Sequence, residues 1–92
     1  MPIAVFGLNH NTAPIEVRER LFVSEETIPR LVRELQESGV DENIVLSTCN
    51  RTEFYFSCKN LDSALDKFYQ ALSRHFSIEK EWLEKYTYLL TD

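Results

Sequence analysis

Residues 44–58 restrict the fold more than any other stretch of the chain. Ile44-Val45-Leu46-Ser47-Thr48 and Phe54-Tyr55-Phe56-Ser57-Cys58 are strand-like runs, and the polar segment Ser47-Thr48-Cys49-Asn50-Arg51-Thr52-Glu53 joins them. Two hydrophobic runs with a short polar connection read as a β-hairpin with the polar residues at its tip. Everything before and after has to supply the elements that cover this hairpin.

Residues 3–10 read as a first strand, with Ile3, Val5 and Gly7 on one face and Ala4, Phe6 and Leu8 on the other. Both faces are apolar, so the strand should be central in its sheet. Thr12-Ala13-Pro14 opens a short helix, in which Glu16 and Arg20 have i,i+4 spacing. Ser24-Glu25-Glu26-Thr27 reads as the start of a longer helix to about Ser38, with Pro29 in its first turn and Ile28, Leu31, Val32 and Leu35 as its buried stripe. Gly39 closes it as a left-handed cap. After the hairpin, a helix runs from Asn60 to about Phe76, with Leu61, Ala64, Leu65, Phe68, Leu72 and Phe76 on one face. Ser77 caps a short helical turn containing Trp82 and Leu83, and Tyr86–Thr91 form a last strand. The order βαββαβ predicts an α+β, ferredoxin-like fold: a four-stranded antiparallel sheet with helices on one face.

The 92 residues make one small domain, of a size that buries ~60–65% of its unfolded surface. Eleven aromatic side chains (six Phe, four Tyr, one Trp) supply a core. A net charge of −5 argues against this domain alone gripping a phosphate backbone. No apolar run approaches the length of a membrane span. The opening Met-Pro-Ile-Ala-Val-Phe-Gly-Leu enters a strand pattern without a basic leader, an expectation of no targeting segment and a cytoplasmic location. Two cysteines in this composition suggest free thiols.

Cys49 is the first candidate for chemistry. A hairpin tip holds a thiol near solvent on a rigid support, and Arg51 supplies positive charge that favours thiolate and can fork onto a carboxylate. The competing reading is a turn in which Asn50 provides a left-handed residue and Cys49 faces inward. Cys58, in step with Phe54 and Phe56, reads as a packed thiol. His10, just past the first strand, reads as a loop-fixing hydrogen-bond partner, and His75, late in its helix, as a structural cation near the negative helix end. No cluster has metal-ligand spacing, and Gly7 and Gly39 are the only glycines, so no phosphate-binding glycine loop can form. Neither histidine is an obvious acid/base partner for Cys49.

Two longer motifs add a resemblance. Gly7-Leu8-Asn9-His10-Asn11-Thr12-Ala13-Pro14, followed by Val17-Arg18-Glu19, resembles the N-terminal signature of the glutamyl-tRNA reductases. Leu46-Ser47-Thr48-Cys49-Asn50-Arg51-Thr52-Glu53 resembles their catalytic signature. The resemblance covers nearly the whole chain. It implies that Cys49 is the nucleophile and that Thr48, Cys49, Asn50 and Arg51 line the glutamate pocket, with Arg51 as carboxylate partner. It further implies NADPH-dependent reduction of glutamyl-tRNA to glutamate-1-semialdehyde through a cysteine thioester, the first step of five-carbon tetrapyrrole synthesis. On this basis residues 1–92 are the N-terminal part of the catalytic domain. A later histidine, the NADPH-binding domain and a helical dimerisation domain are expected outside this chain, which by itself should be monomeric and incomplete for reduction. Glutamyl-tRNA and the downstream aminomutase are the implied partners of the full-length enzyme. Two other functions compete: a non-enzymatic ferredoxin-like module for a small ligand or a docked protein, and a redox switch using Cys49 and Cys58.

Overall fold

The computed structural model describes residues 3–40, 42–57 and 59–91. Its elements are β1 (Ile3–Asn9), α1 (Ile15–Arg20), α2 (Ile28–Glu37), β2 (Asn43–Ser47), β3 (Arg51–Ser57), α3 (Leu61–Phe76), α4 (Lys80–Tyr86) and β4 (Tyr88–Thr91). The order is βαββαβ with a short helix added to each crossover. All pairings are antiparallel, and the strands lie side by side as β2-β3-β1-β4. This is the ferredoxin-like arrangement that the pattern of runs predicts.

The period-two alternation of each strand divides the sheet into a dry and an open face. Ala4, Phe6 and Leu8 of β1, Val45 of β2 and Phe54 and Phe56 of β3 are buried in the core. Phe68 of α3 plugs into this face and is 0% exposed. Its ring stands edge-on to Phe6 at 5.0 Å and to Phe54 at 5.2 Å, and stacks on Phe56 at 5.0 Å. Such aromatic geometry adds to the stabilisation that comes from burial. β1 is central, as its apolar character requires, yet among the described residues its second face is not covered: Ile3 is 51% exposed, beside exposed Ile44 and Leu90.

The helix boundaries depart from the sequence reading in instructive ways. α2 begins at Ile28, not Ser24. Residues 24–27 form a turn in which the Ser24 carbonyl accepts from the amides of Thr27 (2.9 Å) and Ile28 (3.0 Å), and the two hydroxyls of Ser24 and Thr27 lie 2.9 Å apart. Pro29 therefore falls in the first turn, where its missing N–H costs nothing. At the other end Gly39 has φ +103°, its amide donates to Gln36 O (3.0 Å) and the Val40 amide to Leu35 O (2.9 Å). That is a Schellman closure, as the glycine leads one to expect.

α3 starts on Asn60, whose Oδ1 accepts from the Ser63 amide at 3.0 Å. Ser77 closes α3 in the left-handed region at φ 56° instead of opening α4, whose N-cap is Glu79. The last strand is shorter than expected, because Tyr86 belongs to α4: its ring meets Trp82 one turn earlier at 5.2 Å, and the Thr87 hydroxyl donates to the Leu83 carbonyl. Arg20 does not pair with Glu16. It reaches the Ser77 carbonyl (3.5 Å) and lies 5.3 Å over the Trp82 ring, tying α1 to the second crossover.

The role of Phe68 can be measured directly. Phe68→Ala should cost about 3–5 kcal/mol of stability, the range for truncating a buried aromatic. It should appear in urea unfolding as a lower midpoint at unchanged slope.

Candidate active site

The hairpin turn is built by one hydroxyl. The amide of Thr48 donates to Arg51 O at 2.7 Å, while Thr48 Oγ1 accepts from the amides of Asn50 and Arg51, each at 3.2 Å. A threonine that satisfies two turn amides fixes a tight loop without glycine. Asn50 does not take a positive φ, which among the described residues belongs only to Gly39 and Ser77. Cys49 is exposed, not turned inward. The alternative of a left-handed Asn50 with a buried thiol therefore fails on both counts.

Two long-range hydrogen bonds seat this tip on the rest of the domain. Arg18 of α1 donates through Nε to the Cys49 carbonyl (3.3 Å) and through Nη1 to the Ala13 carbonyl (2.9 Å). Ser47 Oγ accepts from the Val23 amide at 2.9 Å and lies 2.9 Å from Oγ1 of buried Thr52. The orientation of the Cys49 loop is thus set by α1 and by the connection that follows it.

The loop after β1 stands against the tip. Asn9 Oδ1 accepts from the amides of Asn11 (2.9 Å) and Thr12 (3.2 Å), and Thr12 Oγ1 accepts from the Asn9 amide (3.0 Å). Asn9 and Thr12 fix this loop, a task that the sequence pattern gave to His10. His10 instead lines an open cleft of about 360 Å³ together with Asn9, Thr48, Asn50 and Arg51. The structure thereby gathers three of the sequence-derived site residues, Thr48, Asn50 and Arg51, around one polar space, with Cys49 between them in the chain. A groove of about 550 Å³ between α2 and α3 contains none of them. It is lined in part by His75, whose Nδ1 lies 2.8 Å from Glu34 Oε2, so His75 joins the two helices as a structural side chain.

Below the cleft, on the open sheet face, Glu53 is 7% exposed. Tyr55 donates to its Oε1 at 3.0 Å, Tyr88 donates to its Oε2, and Arg51 Nε lies 3.6 Å from Oε1. Burial and then the hydrogen bond to Glu53 push the Tyr88 hydroxyl up to about 12. For Tyr55 the hydrogen bond to Glu53 is the main cause of an upward shift. Sequence reading placed Glu53 inside the motif without giving it a role, and missed Arg18 and Tyr88 as parts of the site. The period of two was the available signal, since it sets Arg51, Glu53 and Tyr55 on one face. Among the described residues no three His, Cys, Asp or Glu side chains gather as a metal site. Cys58, read as a packed thiol and as one half of a redox pair, lies outside the described residues.

The class that this fold and site define is a ferredoxin-like domain presenting an exposed thiol beside an arginine-lined polar cleft. Comparison with known proteins narrows it. The sequence profile described as "Glutamyl-tRNAGlu reductase, N-terminal domain" matches residues 6–92, and the chain belongs to that family. It is similar to a glutamyl-tRNA reductase of Pelobacter propionicus, 40% identical over 96% of this chain and 20% of that protein. Similar proteins of the same name occur in Moorella thermoacetica (40% identical, 98% of this chain, 21% of that one) and a Marinomonas species (38%, 100% and 22%). The chain spans about a fifth of the length of these relatives.

Two measurements follow from this geometry. In the folded protein a limiting alkylating reagent should label Cys49 ahead of Cys58, and peptide mapping that showed Cys58 labelled first would remove Cys49 from the site. Tyr88 titrates from about 12 in the fold against 10.0 when free. The unfolded chain therefore ionises first, and stability should fall as pH rises between those values. Tyr88→Phe should make that alkaline decline shallower in urea titrations at successive pH values.

Proposed function

We propose that the full-length protein reduces glutamyl-tRNA to glutamate-1-semialdehyde with NADPH, through a thioester on Cys49, as the first step of five-carbon tetrapyrrole synthesis. The observation that carries this reading is the exposed thiol of Cys49 on a turn whose flanking residues, Thr48, Asn50 and Arg51, line one polar cleft. The names of its relatives supply the substrate. The Cys49 thiolate attacks the carbonyl carbon of the ester that joins glutamate to the tRNA. A carbon–sulfur bond forms, the carbon–oxygen bond breaks, and the proton that the Cys49 thiol gave up on becoming thiolate returns to the departing tRNA oxygen, which leaves as a hydroxyl. Thiolysis needs a nucleophile and a positioned acyl group; Cys49 supplies the first, and the cleft lined by Thr48, Asn50 and Arg51 is the place to hold the second. Arg51 holds the substrate side-chain carboxylate through its planar fork.

The residues described here do not fit NADPH. Gly7 is buried in β1 against Glu53 and Gly39 caps α2, so neither belongs to a phosphate-binding loop. The hydride step falls to a part of the protein outside these residues. On the same reading this chain is the N-terminal part of a catalytic domain. Cofactor binding and dimerisation then lie elsewhere, and the full-length protein works in the cytoplasm with glutamyl-tRNA and a downstream aminomutase. Among the described residues no helix is long and apolar enough to cross a membrane.

The test uses the full-length enzyme. Cys49→Ser should abolish both thioester formation and aldehyde production, and activity in this variant would end the proposal. Arg51→Lys keeps the charge but loses the fork. It should cost about 1–3 kcal/mol in kcat/KM, the range for a charge-assisted hydrogen bond. Unchanged kinetics would exclude Arg51 as the carboxylate partner.

A further inference from the structure

Glu53 is a buried carboxylate that thiolysis does not use. It sits on the face of the sheet away from the helices, and its surroundings are built to receive it. Opposite it on β1 is Gly7. A Cβ on Gly7 would lie 2.9 Å from Glu53 Cγ and 2.5 Å from Thr52 O, so the glycine opens the space that the carboxylate fills. Two hydroxyl donors and one cation from two strands then converge on it: Tyr55 donates to Oε1, Tyr88 of β4 donates to Oε2, and Arg51 pairs with Oε1 through Nε at 3.6 Å. A carboxylate buried to this degree needs such partners. For stability alone, well-packed apolar groups would serve as well.

What distinguishes this cluster is its outlet. Tyr55 and Tyr88 are half-buried, whereas the Arg51 side chain is 53% exposed and lines the cleft at the tip. Guanidinium carries five N–H donors in a fixed plane. With Nε engaged by Glu53, the two Nη groups remain for a ligand. We infer that Glu53 is a positioning residue, which grips the Nε edge of Arg51 and presents its Nη edge to a substrate carboxylate in the cleft, while Tyr55 and Tyr88 hold the Glu53 carboxylate still. This rests on the proposed reading of Arg51. A long side chain at a hairpin tip otherwise samples many rotamers, and ordering it before binding lowers the entropic cost of capture.

The experiment is a double-mutant cycle in the full-length enzyme, with Glu53→Gln, Arg51→Lys and their combination assayed on glutamyl-tRNA. Glu53→Gln should raise KM on the order of tenfold, equivalent to about 1.4 kcal/mol, with kcat nearly unchanged. Glu53→Asp, which restores the charge one methylene short, should recover part of that loss. On the Arg51→Lys background Glu53→Gln should add nothing, since residues acting through one contact are not additive. Tyr88→Phe, which leaves both charged groups in place, should raise KM by a smaller factor and keeps the test open if Glu53→Gln fails to fold. Additive losses, or a fall in kcat at constant KM, would overturn the inference. The parallel Cys49→Ser assay separates the two levels: activity there defeats the proposed function, whereas a dead Cys49→Ser with additive Glu53 and Arg51 effects defeats the positioning role alone.

Discussion

The antiparallel pairing of β1 with β3 is the constraint from which the rest of the site follows. Its register runs from Ile3 opposite Ser57 to Asn9 opposite Arg51. Because side chains alternate with period two, a slip of one residue would exchange the faces of the whole strand. Phe54 and Phe56 would leave the core, and Glu53 would enter it without partners. In the register observed, Glu53 meets the single residue of β1 that has no side chain, and Arg51 meets the end of β1 where the Asn9 loop begins. Packing of the phenylalanines and placement of the polar site are therefore one decision.

That decision is enforced from the helix side. Phe68 touches rings from both central strands, so the α3 crossover locks β1 and β3 together as it covers them. At the tip the local and the long-range interactions have separate tasks. Thr48 closes the turn on itself, and Arg18 and Ser47 fasten the closed turn to α1 and to the chain that follows it. A thiol on a loop held in this way is presented to solvent in a defined place, which is the prerequisite for a nucleophile that must meet a large substrate.

Much of this was legible in the residues. The hairpin, the two long amphipathic helices, the glycine closure of α2 and the βαββαβ order all follow from periodicity and cap chemistry, which are local properties. The misreadings were also local in origin. Ser24 and Ser77 are good capping residues, but whether a serine opens a helix, forms an isolated turn or closes the preceding helix depends on neighbours that compete for the same carbonyls. Tyr86 reads as strand by propensity and is helix because Trp82 and Leu83 fix the preceding turn against the core.

The sequence by itself determined which residues could carry chemistry at the tip and that they would share one turn, since Thr48 through Arg51 are neighbours in the chain and a polar link between two strands has nowhere else to go. The tertiary structure alone decided what surrounds them. Arg18 comes from 31 residues away, and Tyr88 from 35 residues beyond Glu53. No periodicity encodes such distances. They arise when the sheet order β2-β3-β1-β4 sets strand ends and crossover helices side by side, and a buried carboxylate then takes its donors from whichever strands the packing has brought within reach.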